Sequence, residues 1–220
     1  MFHTLLGNPS ATSGTTVALT VENDARNFDL WAWIESELGG TETTYSVFNI
    51  TIASGVIIGS NSTALTSFST GSGWPSGATL TVTNNGTIVG AGGNGGGFGG
   101  NDGEDGGDGM IFTLDATLVN NGTIGGGGGG GGGATTGFGG GGGAGDRAGL
   151  GGYGDEPGGD GRLLTGGYGF GSAGFGGDLG EDGGNGNPGG TGGTAGNAID
   201  KDGFTVGVTN NGTISGSVLA

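Results

Sequence analysis

Thr83-Asn-Asn-Gly-Thr-Ile-Val89 is the stretch that decides the fold, because the chain repeats it. Close copies are Val119-Asn-Asn-Gly-Thr-Ile124 and Thr209-Asn-Asn-Gly-Thr-Ile214, and a looser copy is Ile52-Ala-Ser-Gly-Val-Ile-Ile58. Each copy follows a run of alternating apolar and polar residues, which is typical of a β-strand. Asn-Gly favours a tight turn because both residues tolerate positive φ. The repeat therefore predicts a stack of strand–turn–strand rungs.

The rungs also predict that asparagine side chains support the stack. In register, the first asparagine of each Asn-Asn-Gly would form a ladder of side-chain amides. The turn glycines are separated by 31, 36 and 90 residues, which indicates insertions into a regular scaffold. The predicted structural turn residues are Asn84, Asn85, Gly86, Asn120, Asn121, Gly122, Asn210, Asn211 and Gly212.

Glycine divides the chain into two parts. Of the 66 glycines, 9 lie in residues 1–85 and 57 in residues 86–220. The second part has too few large side chains for hydrophobic burial to offset the entropy that glycine loses on ordering. Its glycines recur every third residue along 97–109 and 174–192, which is the period of a polyproline II helix. With only 4 prolines a collagen triple helix is disfavoured, and we expect a bundle of short polyglycine II helices instead.

The predicted fold class is therefore mainly β with non-regular extended structure and one short N-terminal helix. A small β domain of stacked rungs carries the polyglycine II bundle as insertions. The expected domains are an attachment region at 1–45 with a strand and a helix at 27–38, a rung scaffold at 46–88, the glycine-rich bundle at 89–204 interrupted by the rung 114–124, and a C-terminal rung at 205–220. Asn27 is the expected cap of the helix.

Composition excludes several classes of function. Cysteine is absent, and no apolar run is long enough to span a membrane. Twenty acidic residues against 4 basic ones argue against nucleic acid as a partner. No carboxylate pair lies in an apolar frame that would separate two pKa values, and no nucleophile motif or zinc spacing is present. We therefore expect no catalysis, no cofactor and no metal. The acidic clusters near Asp102, Asp155 and Asp178 are interpreted as solvated surface, with calcium binding as the alternative.

Aromatic residues inside the glycine tracts are the candidate binding residues. Rings on a glycine backbone resemble an antibody loop, in which aromatics supply contact area and glycine supplies adaptability. The candidate receptor contacts are Tyr153, Tyr168, Phe170 and Phe175. The alternative is that these rings cover the faces or seams of the bundle. Trp31 and Trp33 are read first as core or interface packing, and they are the candidate residues for attachment to another protein.

The order of these motifs resembles a known family. Asn27-Phe-Asp-Leu, then Asn49-Ile-Thr-Ile-Ala-Ser-Gly-Val-Ile-Ile-Gly-Ser60, then Asn84-Asn-Gly-Thr-Ile with long glycine tracts, is similar to glycine-rich tail-fibre and tail-tip receptor-binding proteins of tailed phages. The resemblance implies a non-enzymatic virion protein that is assembled in the host cytoplasm without a signal peptide. Its implied partners are a bacterial surface receptor, either an outer-membrane protein or a polysaccharide, and other tail proteins. A homotrimer is allowed.

Two alternatives to host recognition stay open. The chain would also suit a purely structural tail-tip or decoration protein, because a backbone-held bundle needs no ligand. Ice binding is the second alternative, since polyglycine II bundles present flat faces.

Overall fold

The computed structural model describes residues 14–220, so the beginning of the expected attachment region, residues 1–13, lies outside the described residues. Strands and one helix account for the regular structure. The strands are β1 (Thr16–Val21), β2 (Ala25–Arg26), β3 (Phe28–Asp29), β4 (Val47–Ile52), β5 (Ile57–Gly59), β6 (Phe68–Ser69), β7 (Thr79–Asn84), β8 (Thr87–Val89), β9 (Met110–Ile111), β10 (Ala116–Asn120), β11 (Thr123–Gly125), β12 (Ile199–Asp200), β13 (Val206–Asn210) and β14 (Thr213–Ser215). Helix α1 spans Leu30–Leu38, and a 3-10 helix spans Glu42–Thr44.

The strands form three parallel sheets that the chain visits in turn. Two sheets have five strands, in the orders β1-β4-β7-β10-β13 and β14-β11-β8-β5-β2, and the third has four, in the order β12-β9-β6-β3. Each circuit of the chain therefore adds one coil to a parallel β-solenoid. The prediction of a mainly β protein with one short helix is confirmed.

Inward-facing apolar residues stack in columns because successive coils are in register. A strand alternates its side chains between two faces, and in β1, β4 and β7 every second residue is buried. Because apolar side chains of successive coils stack on one another, the coils share one continuous core along the solenoid. The three columns are Leu19–Ile50–Val82–Leu118, Ile58–Ile88–Ile124–Ile214 and Phe28–Phe68–Met110–Ile199.

The rungs are corners between two sheets, and their glycines serve a different purpose from the one predicted. The strands β7 and β8 that flank Asn85 and Gly86 belong to different sheets, and neither residue has φ in the left-handed region. Glycine is needed because the corners stack closely. A Cβ on Gly122 would overlap the carbonyl oxygen of Gly86, and one on Gly212 would overlap that of Gly122.

Asparagine amides bridge successive corners in two parallel rows. In the inner row, Nδ2 of Asn84 donates to Oδ1 of Asn120 (2.9 Å), and Nδ2 of Asn120 donates to Oδ1 of Asn210 (2.8 Å). The outer row joins Asn121 to Asn85 (2.9 Å) and Asn211 to Asn121 (3.0 Å). Asn84 pairs with Ile52 on its other side, so an apolar side chain ends the inner row.

Helix α1 begins three residues later than predicted. Its N-cap is Asp29, whose Oδ1 accepts the Ala32 N–H (3.0 Å), and not Asn27. The chain stays extended through Phe28 and Asp29 because these residues pair with β6. Asn27 has φ of +48° and its Oδ1 accepts a hydrogen bond from Ser60 Oγ. Gly39 ends the helix in a left-handed conformation, as the Gly39-Gly40 pair suggests.

The glycine-rich region, residues 90–109 and 126–198, is inserted between β8 and β9 and between β11 and β12. It consists of short extended segments joined by backbone N–H···O=C bonds at every third residue. Segment 126–133 lies in the middle, and its bonds to six neighbouring segments measure 2.7–3.0 Å. The neighbours are 90–96, 101–107, 138–144, 174–180, 181–184 and 190–196.

The described part of the chain contains no helix with the length and apolar character needed to cross a bilayer.

Candidate functional site

Five chain reversals meet at the end of the glycine-rich region that is remote from the solenoid. They are connected by backbone bonds: Gly99 N–H to Ala134 O (2.9 Å), Glu156 N–H to Gly137 O (3.1 Å) and Asn187 N–H to Ser172 O (2.8 Å). The reversals at the other end lie against the solenoid, where Arg26 Nε pairs with Asp146 Oδ2 at 2.6 Å. We call the remote group the distal surface, and its loops are 98–101, 134–138, 153–156, 170–173 and 187–189.

Aromatic rings from different loops pair on the distal surface. Phe98 and Tyr153 have ring centroids 5.6 Å apart at 84°, an edge-to-face arrangement. Phe138 and Phe170 are 5.9 Å apart at 31°. Tyr153 is 66% exposed and Phe170 39%, so each pair still presents apolar area to solvent. The Tyr153 ring lies against Gly97, where an added Cβ would contact the ring and displace it.

The four aromatic residues predicted as contacts lie on two different surfaces. Tyr153 and Phe170 belong to the distal surface. Tyr168 (56% exposed) and Phe175 (64% exposed) lie on the side of the glycine-rich region, where both line one open groove. Phe98 and Phe138 are not among the predicted contacts, yet they complete the distal pairs. No sequence signal identifies these pairings, because the partners are far apart in the chain and meet only through loop packing.

The two candidate attachment tryptophans differ in exposure. Trp31 is 4% exposed and packs against Phe48 and Trp74, with centroids 5.9 and 4.7 Å away. Trp33 is half-buried beside Phe28 and lines a groove of 480 Å³ between α1 and the edge strand β1. Trp31 therefore stabilises the core, whereas Trp33 lies at a surface that another chain can reach.

Acidic side chains on the rim of the glycine-rich region accept backbone hydrogen bonds. Asp102, Asp105 and Asp108 are three residues apart, and each Oδ1 accepts the N–H of a residue in segment 191–197 at 2.7 Å. An outer segment has no backbone carbonyl beyond it, so the carboxylates satisfy its outward N–H groups. Asp160, Asp178 and Asp182 make the same kind of bond.

This role was missed when the acids were interpreted as solvated surface, although the spacing of three between acids was visible in the sequence. The bond from the Thr191 backbone N–H lowers the pKa of Asp102 below its ordinary value. Within residues 14–220 no group of three or more His, Cys, Asp or Glu side chains is placed to hold a metal ion.

The family model for the phage tail fibre adhesin Gp38 matches residues 16–219. A chain in the crystal structure of the gp37–gp38 adhesin tip complex of the bacteriophage S16 long tail fibre is 29% identical, with a TM-score of 0.73; the match covers 92% of this chain and 82% of that chain. The search of curated proteins found no match.

Proposed function

Because the chain belongs to the family of Gp38 phage tail fibre adhesins, we propose that its distal surface is the part that contacts the bacterial host. The protein is a phage tail adhesin, and adhesion needs a ligand-facing surface that is held rigidly away from the fibre. The observation that carries the proposal is the convergence of five loops and two exposed aromatic pairs at the end remote from the solenoid. Aromatic anchors of this kind dominate binding energy at protein interfaces.

The glycine-rich region is proposed to be a bundle of polyglycine II helices that acts as a rigid spacer. Hydrogen bonds at every third residue support the threefold period, and the six neighbours of segment 126–133 support hexagonal packing. Segments packed through their backbones leave no room for side chains, which explains the run of glycines at 125–133. The domain limits expected from sequence, with this bundle at 89–204, are kept as part of the proposal.

The first coil is proposed to attach the adhesin to another fibre protein. In the related S16 structure the adhesin tip is a complex of gp37 and gp38, so we expect this chain to have a surface for a fibre protein. Thr15 and Val21 carbonyls bond to the β4 side, so Thr16, Ala18 and Thr20 direct their backbone groups outward. Unpaired groups on an edge strand can accept a strand from a partner, and the Trp33 groove lies beside them.

The attachment proposal is tested by Ala18→Pro. Proline removes the outward N–H of β1 while leaving its bonds to β4, so we expect lower incorporation on fibres with little change in the melting temperature. Val208→Pro on the opposite edge strand β13 is the matched control and should leave incorporation unchanged. Normal incorporation of Ala18→Pro would contradict strand addition at β1.

Contact with the host is tested by the double variant Tyr153→Ala and Phe170→Ala. We expect at least a tenfold loss of adsorption to host cells with normal incorporation into virions. Phe204→Ala is the control, because Phe204 is also a partly exposed ring (38%) but lies beside the solenoid. Unchanged adsorption of the double variant would show that the distal surface does not contact the host. Failed virion assembly would favour a purely structural role.

The remaining properties follow from the family and are proposals for this chain. We place the protein on the virion tail, acting without catalysis and without a cofactor. The receptor is an outer-membrane protein or a polysaccharide, and assembly takes place in the host cytoplasm, with a trimer as the allowed oligomer. The adhesin family match favours adhesion over the ice-binding alternative.

A further inference from the structure

The side of the glycine-rich region carries a groove that the distal surface does not include. It has a volume of 760 Å³ and is lined by segments 158–162 and 165–168 and by Phe175. We call it the lateral groove. Its volume lies within the range of roughly 300–1,000 Å³ that is typical of small-molecule sites.

Two aromatic rings form the walls of the lateral groove. The Gly176 N–H donates to the Gly167 carbonyl (2.9 Å), which fixes the two segments that carry Phe175 and Tyr168 side by side. The Tyr168 ring lies directly against Gly159, where a Cβ would come within 2.5 Å of the ring carbons Cδ1 and Cε1. The Tyr168 ring therefore rests on the backbone at Gly159, and more than half of both Tyr168 and Phe175 remains exposed.

A hydrogen-bond acceptor and a hydrogen-bond donor lie beside the two rings. Oδ1 of Asp160 accepts the Gly151 N–H (2.8 Å), which holds the carboxylate at the groove and leaves Oδ2 as an acceptor. The backbone N–H of Arg162 donates to Thr165 O (2.8 Å) and closes the reversal at the end of the groove. Among the residues that the structure describes, the one ion pair is Arg26–Asp146, so the exposed Arg162 guanidinium is available as a donor.

We propose that the lateral groove binds a neutral oligosaccharide of the bacterial surface. A sugar ring has an apolar C–H face that packs on an aromatic ring, and its hydroxyl groups donate to Asp160 and accept from Arg162. An anionic ligand is disfavoured, because the chain carries a net charge of −16 and Asp160 lies in the groove. This inference rests on the proposed adhesin function and assigns a ligand class to Tyr168 and Phe175. The proposed contact between the distal surface and the host is separate from it.

Saturation-transfer NMR on the intact protein tests the groove directly. The probes are glucose, galactose, N-acetylglucosamine and maltose at millimolar concentration. We expect transfer to the C–H protons of at least one probe, and its loss in the double variant Tyr168→Ala and Phe175→Ala. Arg162→Ala should weaken the signal severalfold without touching the packing of the rings. The control is Phe204→Ala, a partly exposed ring outside both surfaces, which should keep the full signal.

The outcomes separate this inference from the proposed function. Absence of transfer from all four sugars, or transfer that persists in the double variant, overturns the glycan assignment. If the double variant instead reduces adsorption to cells stripped of surface polysaccharide, the groove contacts a protein and the assignment is also wrong. Neither result bears on the distal surface, whose test is adsorption of the Tyr153 and Phe170 variants.

Discussion

Asn120 lies at the centre of the inner asparagine row and is fully buried. Its Oδ1 accepts from Asn84 and its Nδ2 donates to Asn210, so one side chain links three coils. Its Oδ1 also lies 3.3 Å from the Gly122 backbone N–H. Buried amides are costly when unpaired, and this network satisfies each group along the corner.

Asn120→Ala should therefore destabilise the solenoid strongly. The change removes one of the two acceptors of the Asn84 amide, which keeps Thr123 O, and it removes the bond to Asn210. Each lost buried partner costs about 1–3 kcal/mol. We expect the free energy of unfolding to fall by about 2–4 kcal/mol, measured by urea denaturation. Asn211→Ala, at the exposed end of the outer row, is the control and should cost under about 1 kcal/mol. If the two substitutions lower the free energy of unfolding equally, burial of the inner row contributes nothing to stability.

Asp102 should make the rim sensitive to acid. Its folded pKa is lowered by the Thr191 backbone bond, so the stabilisation is present above the ordinary pKa and is lost as the pH falls through the lower folded value. Melting temperatures of wild type and Asp102→Asn should differ at neutral pH and converge as the pH falls through the lowered folded pKa of Asp102. Asp155→Asn in a distal loop serves as the control. A difference in melting temperature that does not shrink as the pH is lowered would contradict the assignment.

Segment 126–133 is the element on which the glycine-rich region depends. At Gly130 the backbone N–H donates to Glu104 O and the carbonyl accepts from Gly193, both at 2.8 Å. A Cβ there would overlap the Asn94 carbonyl oxygen. The contacted atom is backbone and cannot rotate away, so the segment accepts glycine only.

Gly130→Ala should disrupt this region without unfolding the solenoid. Overpacking against side chains costs about 1–3 kcal/mol, and we expect about 3 kcal/mol or more against a fixed backbone. Amide hydrogen exchange should accelerate across 90–109 and 126–198 while β4 and β7 stay protected. Gly207→Ala is the matched control, because nothing lies within 4 Å of its Cβ, and it should be neutral or stabilising by about 0.5–1 kcal/mol.

At the scale of elements, the sequence predicted those features of the strands and the helix that depend on a local pattern of residues. The alternation of apolar and polar residues predicted a mainly β protein, because that pattern is local, whereas the rungs and the polyglycine II bundle stay predictions. The helix start was misplaced, since the pairing of Phe28 with Phe68 is a long-range contact that overrides the capping preference of Asn27. The third sheet was not predicted, because two-residue strands such as β6 have no periodicity to detect.

For the whole molecule, the solenoid and the glycine-rich region are joined at neighbouring points. The insertion 126–198 starts and ends close together, since a Cβ on Gly126 would overlap the Gly196 carbonyl. The insertion 90–109 closes in the same way, with Gly90 against Gly107. The solenoid core contains no side chain from either insertion except Ala198.

Replacing both insertions with short Gly-Ser linkers should therefore leave the solenoid folded. We expect a parallel β circular dichroism spectrum, retained incorporation on fibres through the first coil, and no adsorption to host cells. A second variant replaces only insertion 126–198 with such a linker and keeps insertion 90–109. We expect 90–109 to be disordered in this variant, because its hydrogen-bond partner, segment 126–133, is missing. A variant that unfolds completely would show that the glycine-rich region is required for the solenoid.

The candidate site was predictable only as a list of residues. Exposed rings within glycine tracts marked Tyr153 and Phe170, because glycine neighbours cannot bury them. Their assembly with Phe98 and Phe138, and the separation of Tyr168 onto another face, depend on how the segments are ordered in space. That order is set by backbone bonds, and these leave no side-chain pattern in the sequence.

Segment 126–133 has a thermodynamic consequence for the assembled adhesin. Heat capacity rises on unfolding mainly because apolar surface becomes hydrated, while exposed peptide groups lower it. The glycine-rich region exposes mostly peptide groups when it unfolds. Its free energy of unfolding should therefore vary less with temperature than that of the solenoid. Cooling weakens apolar packing, so the glycine-rich region should keep its stability at temperatures where apolar cores begin to lose theirs.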